Sequence, residues 1–386
     1  MFRLALLGII LVTAHPSSAQ DWFFNQRDIL KDSLPKKDFL QFRYQVGEIA
    51  SASTDAINST VGSNPFQSID LRYGIYGYGR KNWHQLHHFP TYGVGIGKYL
   101  FNPADNIVGN PITTYAFFNE SIFRFKKSSI SYDMAVGIAY NWKPYDPVTN
   151  PDQLVIGSAV TGYLALNLQY EFQLSDRIDG ALGFGINHFS NGRIRSPNRG
   201  LNLYGLNASV RYRLGTLSQI KVQPRLIEPF TSKIEFDVVG SIGTVTTFQD
   251  KASPGIHYMT GSATFDVSRH YGYKGKYGIG LDWSYDESLK VEYQNQYPQG
   301  VPENLLYWPG MHLSHEYMIH RWTIITQAGV NLNVVGDKGT GFGRLAFRYD
   351  VSKSIFLRTG LRVYKTVVSD FIEWGVGYSW YSQTSK

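Results

Sequence analysis

Residues 130–142 read ISYDMAVGIAYNW. Ile130, Tyr132, Met134, Val136, Ile138, Tyr140 and Trp142 share one face of an extended chain, and Ser131, Asp133, Ala135, Gly137, Ala139 and Asn141 share the other. A half-buried strand of a soluble domain alternates too, but is commonly about five or six residues long. This run is long enough to cross an outer membrane with tilt. Its large apolar face suits lipid, and its small polar face suits a barrel interior. Residues 160–174 repeat the pattern, with Leu164, Leu166, Leu168, Tyr170 and Phe172 opposed by Ala165, Asn167, Gln169 and Glu171. Near the end, Ile372, Trp374, Val376, Tyr378 and Trp380 oppose Glu373, Gly375, Gly377 and Ser379.

The rest of the chain agrees with an exported, β-rich protein. Its 386 residues carry 27 Tyr, 23 Phe and 38 Gly, a bias toward sheet. Cys is absent, which excludes a disulfide scaffold, a Cys-ligated zinc and a thiol nucleophile. Met1 to Arg3 is a short basic start, residues 4–12 are apolar, and Ser17, Ser18 and Ala19 form a small-residue cleavage site. Residues 1–19 therefore read as a signal peptide, with the mature chain starting at Gln20. Residues 20–36 are expected to be a periplasmic segment, and 37–386 a transmembrane antiparallel β-barrel in a Gram-negative outer membrane. The formal charge of +7 fits a membrane surface as well as an acidic polymer, and an exported barrel argues against nucleic acid as partner.

Strands are expected near 37–49, 67–79, 86–101, 111–125, 130–142, 156–174, 178–190, 202–214, 233–246, 255–271, 276–285, 308–319, 322–332, 342–352, 355–365 and 369–381. That makes about sixteen, with 12 or 14 as alternatives. Turns near 126–129, 175–177, 320–321 and 353–354 are short, whereas 50–66, 143–155, 191–201 and 286–307 are long. Short periplasmic turns and long extracellular loops produce this alternation. The connection at 216–232, with Pro224 and Pro229, breaks it and reads as a periplasmic excursion or a miscounted strand. No internal repeat or domain linker stands out.

One stretch carries chemistry: HFSNGRIRSPNRGLN, residues 188–202. Leu182, Phe184 and Ile186 share a strand face that His188 and Ser190 continue, and Asn202 shares one with Tyr204, Leu206, Ala208, Val210 and Tyr212. All three polar side chains are expected on the outer wall at the extracellular rim. A serine hydroxyl becomes a nucleophile when an imidazole takes its proton, and a third group orients the ring. The N–H groups of Asn191 and Gly192 are candidate oxyanion donors. Arg193, Arg195 and Arg199 are candidate ligands for anionic headgroups.

The segment resembles the active-site signature of the PagL-type lipid A 3-O-deacylases, outer-membrane barrel esterases. The match is His188-Phe189-Ser190-Asn191 followed by Pro197-Asn198-Arg199-Gly200. Residues 369–378, SDFIEWGVGY, resemble the larger acyloxyacyl hydrolase relatives. The resemblance implies removal of an ester-linked acyl chain from lipid A in the outer leaflet, without metal or other cofactor. Ser190 would be nucleophile and His188 general base. Two departures stand out: the chain is about twice the length of an eight-stranded enzyme, and Asn202 occupies the acidic triad position. An amide oxygen orients an imidazole but lends it no charge. The second reading is a porin-like or structural barrel, catalytically silent. The oligomeric state is left open.

A second H-x-S pair, His312 and Ser314 with Glu316, falls on the opposite face from Met311, Leu313, Tyr317 and Ile319 and is expected inside the barrel. His87 and His88 read as structural.

Overall fold

The computed structural model describes residues 37–50, 65–79, 81–102, 104–215, 226–247, 256–332, 339–364 and 368–382. The expected signal peptide at 1–19 and periplasmic segment at 20–36 lie outside the described residues, as do 216–225 and the tip of the 50–66 loop.

Among the described residues there are sixteen strands, all paired antiparallel, but they close as two barrels of eight, not as one barrel of sixteen. The first contains β1 (Asp38–Ile49), β2 (Pro65–Tyr76), β3 (Thr91–Leu100), β4 (Gly109–Arg124), β5 (Ser128–Trp142), β6 (Val160–Gln173), β7 (Ile178–Ser190) and β8 (Leu201–Arg213). It closes where β1 pairs β8, with Phe39 opposite Arg213 and Ile49 opposite Leu203. The second contains β9 (Ile234–Val245), β10 (Tyr258–Gly272), β11 (Gly275–Asp286), β12 (Tyr307–Ile319), β13 (Trp322–Asn331), β14 (Gly341–Asp350), β15 (Ile355–Tyr364) and β16 (Val368–Tyr381). It closes between β9 and β16, with Ile242 opposite Trp374. The irregular connection is thus the passage from β8 to β9, one barrel ending and the next beginning.

An eight-stranded barrel is just wide enough for side chains to fill it. In the first barrel Asp133 holds both Arg43 (3.0 Å) and Arg72 (2.7 Å), and Tyr115 donates to Asp70 (2.6 Å). Toward the long-loop end, Tyr99 and Tyr163 donate to Asn187 Oδ1 at 3.0 and 3.1 Å under Phe189 and Trp142. In the second barrel Arg344 lies between Asp282 and Glu373, 2.8 Å from each, and Lys276 is 3.0 Å from Glu235 and 3.1 Å from Glu316. Leu71, Leu168, Leu313 and Trp374 are exposed on the outside. A polar interior under an apolar exterior inverts a soluble domain and suits a wall that faces lipid. Interiors filled in this way argue against a water channel and so against the porin-like reading.

Asp133 is ion-paired with two buried guanidinium groups, so Asp133→Ala is expected to destabilise the first barrel by about 3–5 kcal/mol. Urea unfolding of the detergent-refolded chain measures this, and an unshifted midpoint would show that water replaces the carboxylate.

The strand expected at 86–101 starts late. A short helix, α1 (Asn82–Leu86), comes first. His88 and Phe89 then take positive φ (51° and 57°), and Pro90 leads into β3. Buried His87 contacts Glu120 (Nδ1 to Oε2, 2.6 Å), and His88 Nδ1 is 3.2 Å from Glu120 Oε1.

Candidate functional site

The connections β1–β2, β3–β4, β5–β6 and β7–β8 of the first barrel share one end, and the short turns at 125–127 and 174–177 share the other with the longer β2–β3 connection that carries α1. His188 and Ser190 are the last outward positions of β7. Leu182, Phe184 and Ile186 are exposed on the same face. Ser190 itself is buried, at 7% exposure.

Register brings the site together. His188 is the direct partner of Asn202 on β8. His188 Nδ1 is 2.7 Å from Asn202 Oδ1. That oxygen carries no proton, so Nδ1–H is the donor and Nε2 keeps its lone pair. Ser190 follows two residues along the same face, about 6.5–7 Å away between Cα atoms. Its cross-strand partner on β6 is Gly162, which has no side chain to cover it.

The loop after β7 supplies a residue to which composition and spacing assign no role. Asn198 Nδ2 donates to Ser190 Oγ at 2.9 Å. Asn198 Oδ1 accepts the Asn191 N–H at 3.2 Å, the group expected to face an oxyanion. The Asn191 side chain donates to Ser158 Oγ at 3.0 Å. Arg199 N and Gly200 N donate to Leu154 O (3.4 Å) and Val155 O (3.2 Å), which fastens this loop to the β5–β6 connection. Gly200 has φ +74°, and a Cβ there would stand 3.1 Å from His188 Cε1. Glycine is needed for the turn and for the approach to the ring. The sequence signal for both residues is their place in Pro197-Asn198-Arg199-Gly200.

The other expected residues fall elsewhere. Gly192–Ser196 belongs to the second compact unit. Gly192 has φ +61°, and a Cβ would lie 2.1 Å from Ile372 Cγ1. Arg193 is ion-paired with Glu292 and donates its Nε–H to Thr246 O at 3.2 Å. Burial opposes its charge, but Glu292, Asp286 and Asp370 outweigh burial and hold its pKa above the ordinary value. Arg195 and Arg199 are exposed. The second H-x-S pair is buried inside the second barrel. His312 contacts Asp282, Asp266 (2.6 Å) and Gln327 (2.8 Å), and Ser314 and Glu316 are buried on the same face of β12.

The first barrel is apolar-walled, of the membrane type, and gathers an imidazole, an amide and a hydroxyl at its rim. Residues 68–211, β2 to β8, match the family model of the lipid A 3-O-deacylase (PagL). Residues 234–382, the second barrel, match that of the acyloxyacyl hydrolase C-terminal domain (PagL_C). The chain belongs to the PagL family of lipid A 3-O-deacylases. Comparison with curated proteins returns no match. Similar solved structures include outer membrane phospholipase A from Escherichia coli, at 8% identity over 91% of this chain and 99% of that one, with a TM-score of 0.18. They also include an outer membrane channel from Pseudomonas putida F1, at 9% identity over 91% and 97% with a TM-score of 0.22. A triple mutant of the Rhodopseudomonas blastica porin matches at 8% identity over 89% and 99%, with a TM-score of 0.17. At such TM-scores nothing is carried across from these three.

Proposed function

We propose that the first barrel is an outer-membrane esterase that removes an ester-linked acyl chain from lipid A. The observation that carries this is the His188–Asn202 pair, 2.7 Å long, on the lipid-side face beside Ser190. Ser190 Oγ attacks the ester carbonyl carbon while its proton passes to His188 Nε2. The bond to the sugar oxygen then breaks, and that oxygen takes the proton back from the imidazolium. Water, activated by the same Nε2, cleaves the acyl-serine and releases a fatty acid. The Asn198 amide, with one Nδ2–H on Ser190 Oγ, offers its second Nδ2–H to the oxyanion in this reading, since the Asn191 N–H is engaged. The family supplies the substrate class. The outward position of the site supports reaction within the outer leaflet, where lipopolysaccharide resides.

The decisive experiment is mass spectrometry of lipid A from Gram-negative cells with and without the protein. Loss of one hydroxyacyl mass only when the protein is present is the expected result. Unaltered lipid A despite correctly inserted protein would leave the silent structural barrel as the reading.

Two smaller predictions belong here. Gly200→Ala forces a side chain onto positive φ and toward the imidazole. It is expected to lower kcat about tenfold, in line with ~1–3 kcal/mol of local strain. Unchanged kcat would show that the ring does not depend on this turn. Exposed Arg199 offers a fork suited to a lipid A phosphate. Arg199→Gln is expected to raise KM for bisphosphorylated more than for dephosphorylated substrate. Equal changes would exclude the phosphate contact.

A further inference from the structure

The first barrel has a second polar feature at its opposite, short-turn end, away from Ser190. A cavity of about 270 Å³ opens there, lined by Arg124, Lys126 and Lys127 around the β4–β5 turn, by Glu171 and Asp179, and by Arg211 and Arg213 of β8. Two of these five cations are matched: Arg211 lies 3.0 Å from Glu171, and Arg213 pairs with Asp179. Arg124 is held by His88 O (2.8 Å) and Ser121 Oγ (3.0 Å). Lys126 and Lys127 are exposed at the cavity wall. The lining therefore carries an excess of positive charge inside a concave, partly desolvated site.

The Arg211 side chain is only 7% exposed and lies 4.6 Å from the Phe39 ring centroid, and its Nε–H makes no well-aligned hydrogen bond among the described residues. A buried donor without an acceptor is costly, and interior N–H groups are almost always satisfied. An anion in the cavity supplies the acceptor and the missing negative charge together. Tetrahedral oxygens on a phosphate suit this set, a guanidinium edge on one side and two mobile ammonium groups on another.

The geometry points to a phosphate-binding site at the short-turn mouth of the first barrel, built from Arg211, Lys126 and Lys127. The phosphate belongs either to a phospholipid headgroup of the adjoining leaflet or to free phosphate. This goes beyond the hydrolytic reading and does not depend on it.

Full-length protein in maltoside detergent tests it in two arms. Native mass spectrometry compares retention of phosphatidylglycerol with that of diacylglycerol, which lacks the phosphate. Calorimetry titrates inorganic phosphate. Each arm is run on wild type and on Lys126→Gln/Lys127→Gln, whose exposed positions leave the barrel intact; Arg211→Gln is a second variant, used if heat-modifiable migration shows it folded. Preferential retention of phosphatidylglycerol, falling roughly tenfold in the lysine variant, supports a lipid headgroup. Binding of inorganic phosphate alone, with the same fall, supports free phosphate. No preference for either phosphate probe, or binding equal in wild type and lysine variant, overturns the site. Deacylation is expected to be unchanged in the lysine variant, so failure here leaves the Ser190 reading standing.

Discussion

Ser190→Ala is expected to abolish lipid A deacylation, lowering kcat about 10⁴-fold or more while the chain keeps the heat-modifiable migration of a folded barrel. The substitution removes the oxygen that would carry the acyl intermediate. It removes the acceptor of the Asn198 Nδ2 hydrogen bond, at the edge of the barrel. His188→Ala is expected to cost about as much, because a hydroxyl without its base is a poor nucleophile. The double variant is expected to be no worse than either single one, since the two groups act as a unit. Ser314→Ala is the control. Ser314 has the same H-x-S spacing, but it faces the interior of the second barrel, where no lipid reaches it. Its loss is expected to change turnover by no more than about twofold, within what a neutral substitution does. Activity lost with Ser314 and kept without Ser190 would refute the assignment. It would mean that the strand faces are reversed, as a slip of one residue makes them.

That control is legible in the amino-acid sequence, because a strand's side chains alternate and the alternation is local. Leu313 outward and Ser314 inward follow from residues 311–319 alone. The same local signal locates all sixteen strands, most within a few residues of where they are found. Closure is a different kind of information. Whether β8 pairs back to β1 or forward to β9 depends on partners more than 150 residues apart in one case, as in Phe39 with Arg213. Nothing in the alternation of either strand distinguishes the two. The long connection after β8 is the visible trace of the break between barrels. It is an anomaly only for a chain that closes once.

The candidate site divides along the same line. Counting alternate residues places His188 and Asn202 on the outer wall, and the register makes them direct partners. Asn198 cannot be found by counting. It lies in a loop with no period, and its role rests on a turn that carries its amide back to Ser190 and Asn191. Arg193 departs from its expected place for a related reason. Closeness in sequence groups Arg193 with Arg195 and Arg199, whereas Arg193 spends its charge on Glu292.

Asn202 gives the second large effect, and it separates orientation from charge. In the wild type its Oδ1 accepts from His188 Nδ1, which fixes the tautomer and leaves Nε2 to act as base. Asn202→Ala removes the acceptor and frees the ring to turn. It is expected to lower kcat by about 10²–10⁴-fold, the range that a positioned general base contributes, with KM unchanged. Asn202→Asp keeps the same shape and adds a negative charge beside the imidazolium that forms when Ser190 gives up its proton. It is expected to raise kcat, and Asn202→Glu, one methylene longer, to preserve or raise it. Asn202 is exposed at the second residue of β8, so none of the three disturbs the barrel interior. A gain with Asp and a loss with Ala would mean that the wild-type amide orients the ring without stabilising its charge. Unchanged turnover in the Ala variant would mean that another group holds the imidazole, and the 2.7 Å contact would then have no part in the reaction.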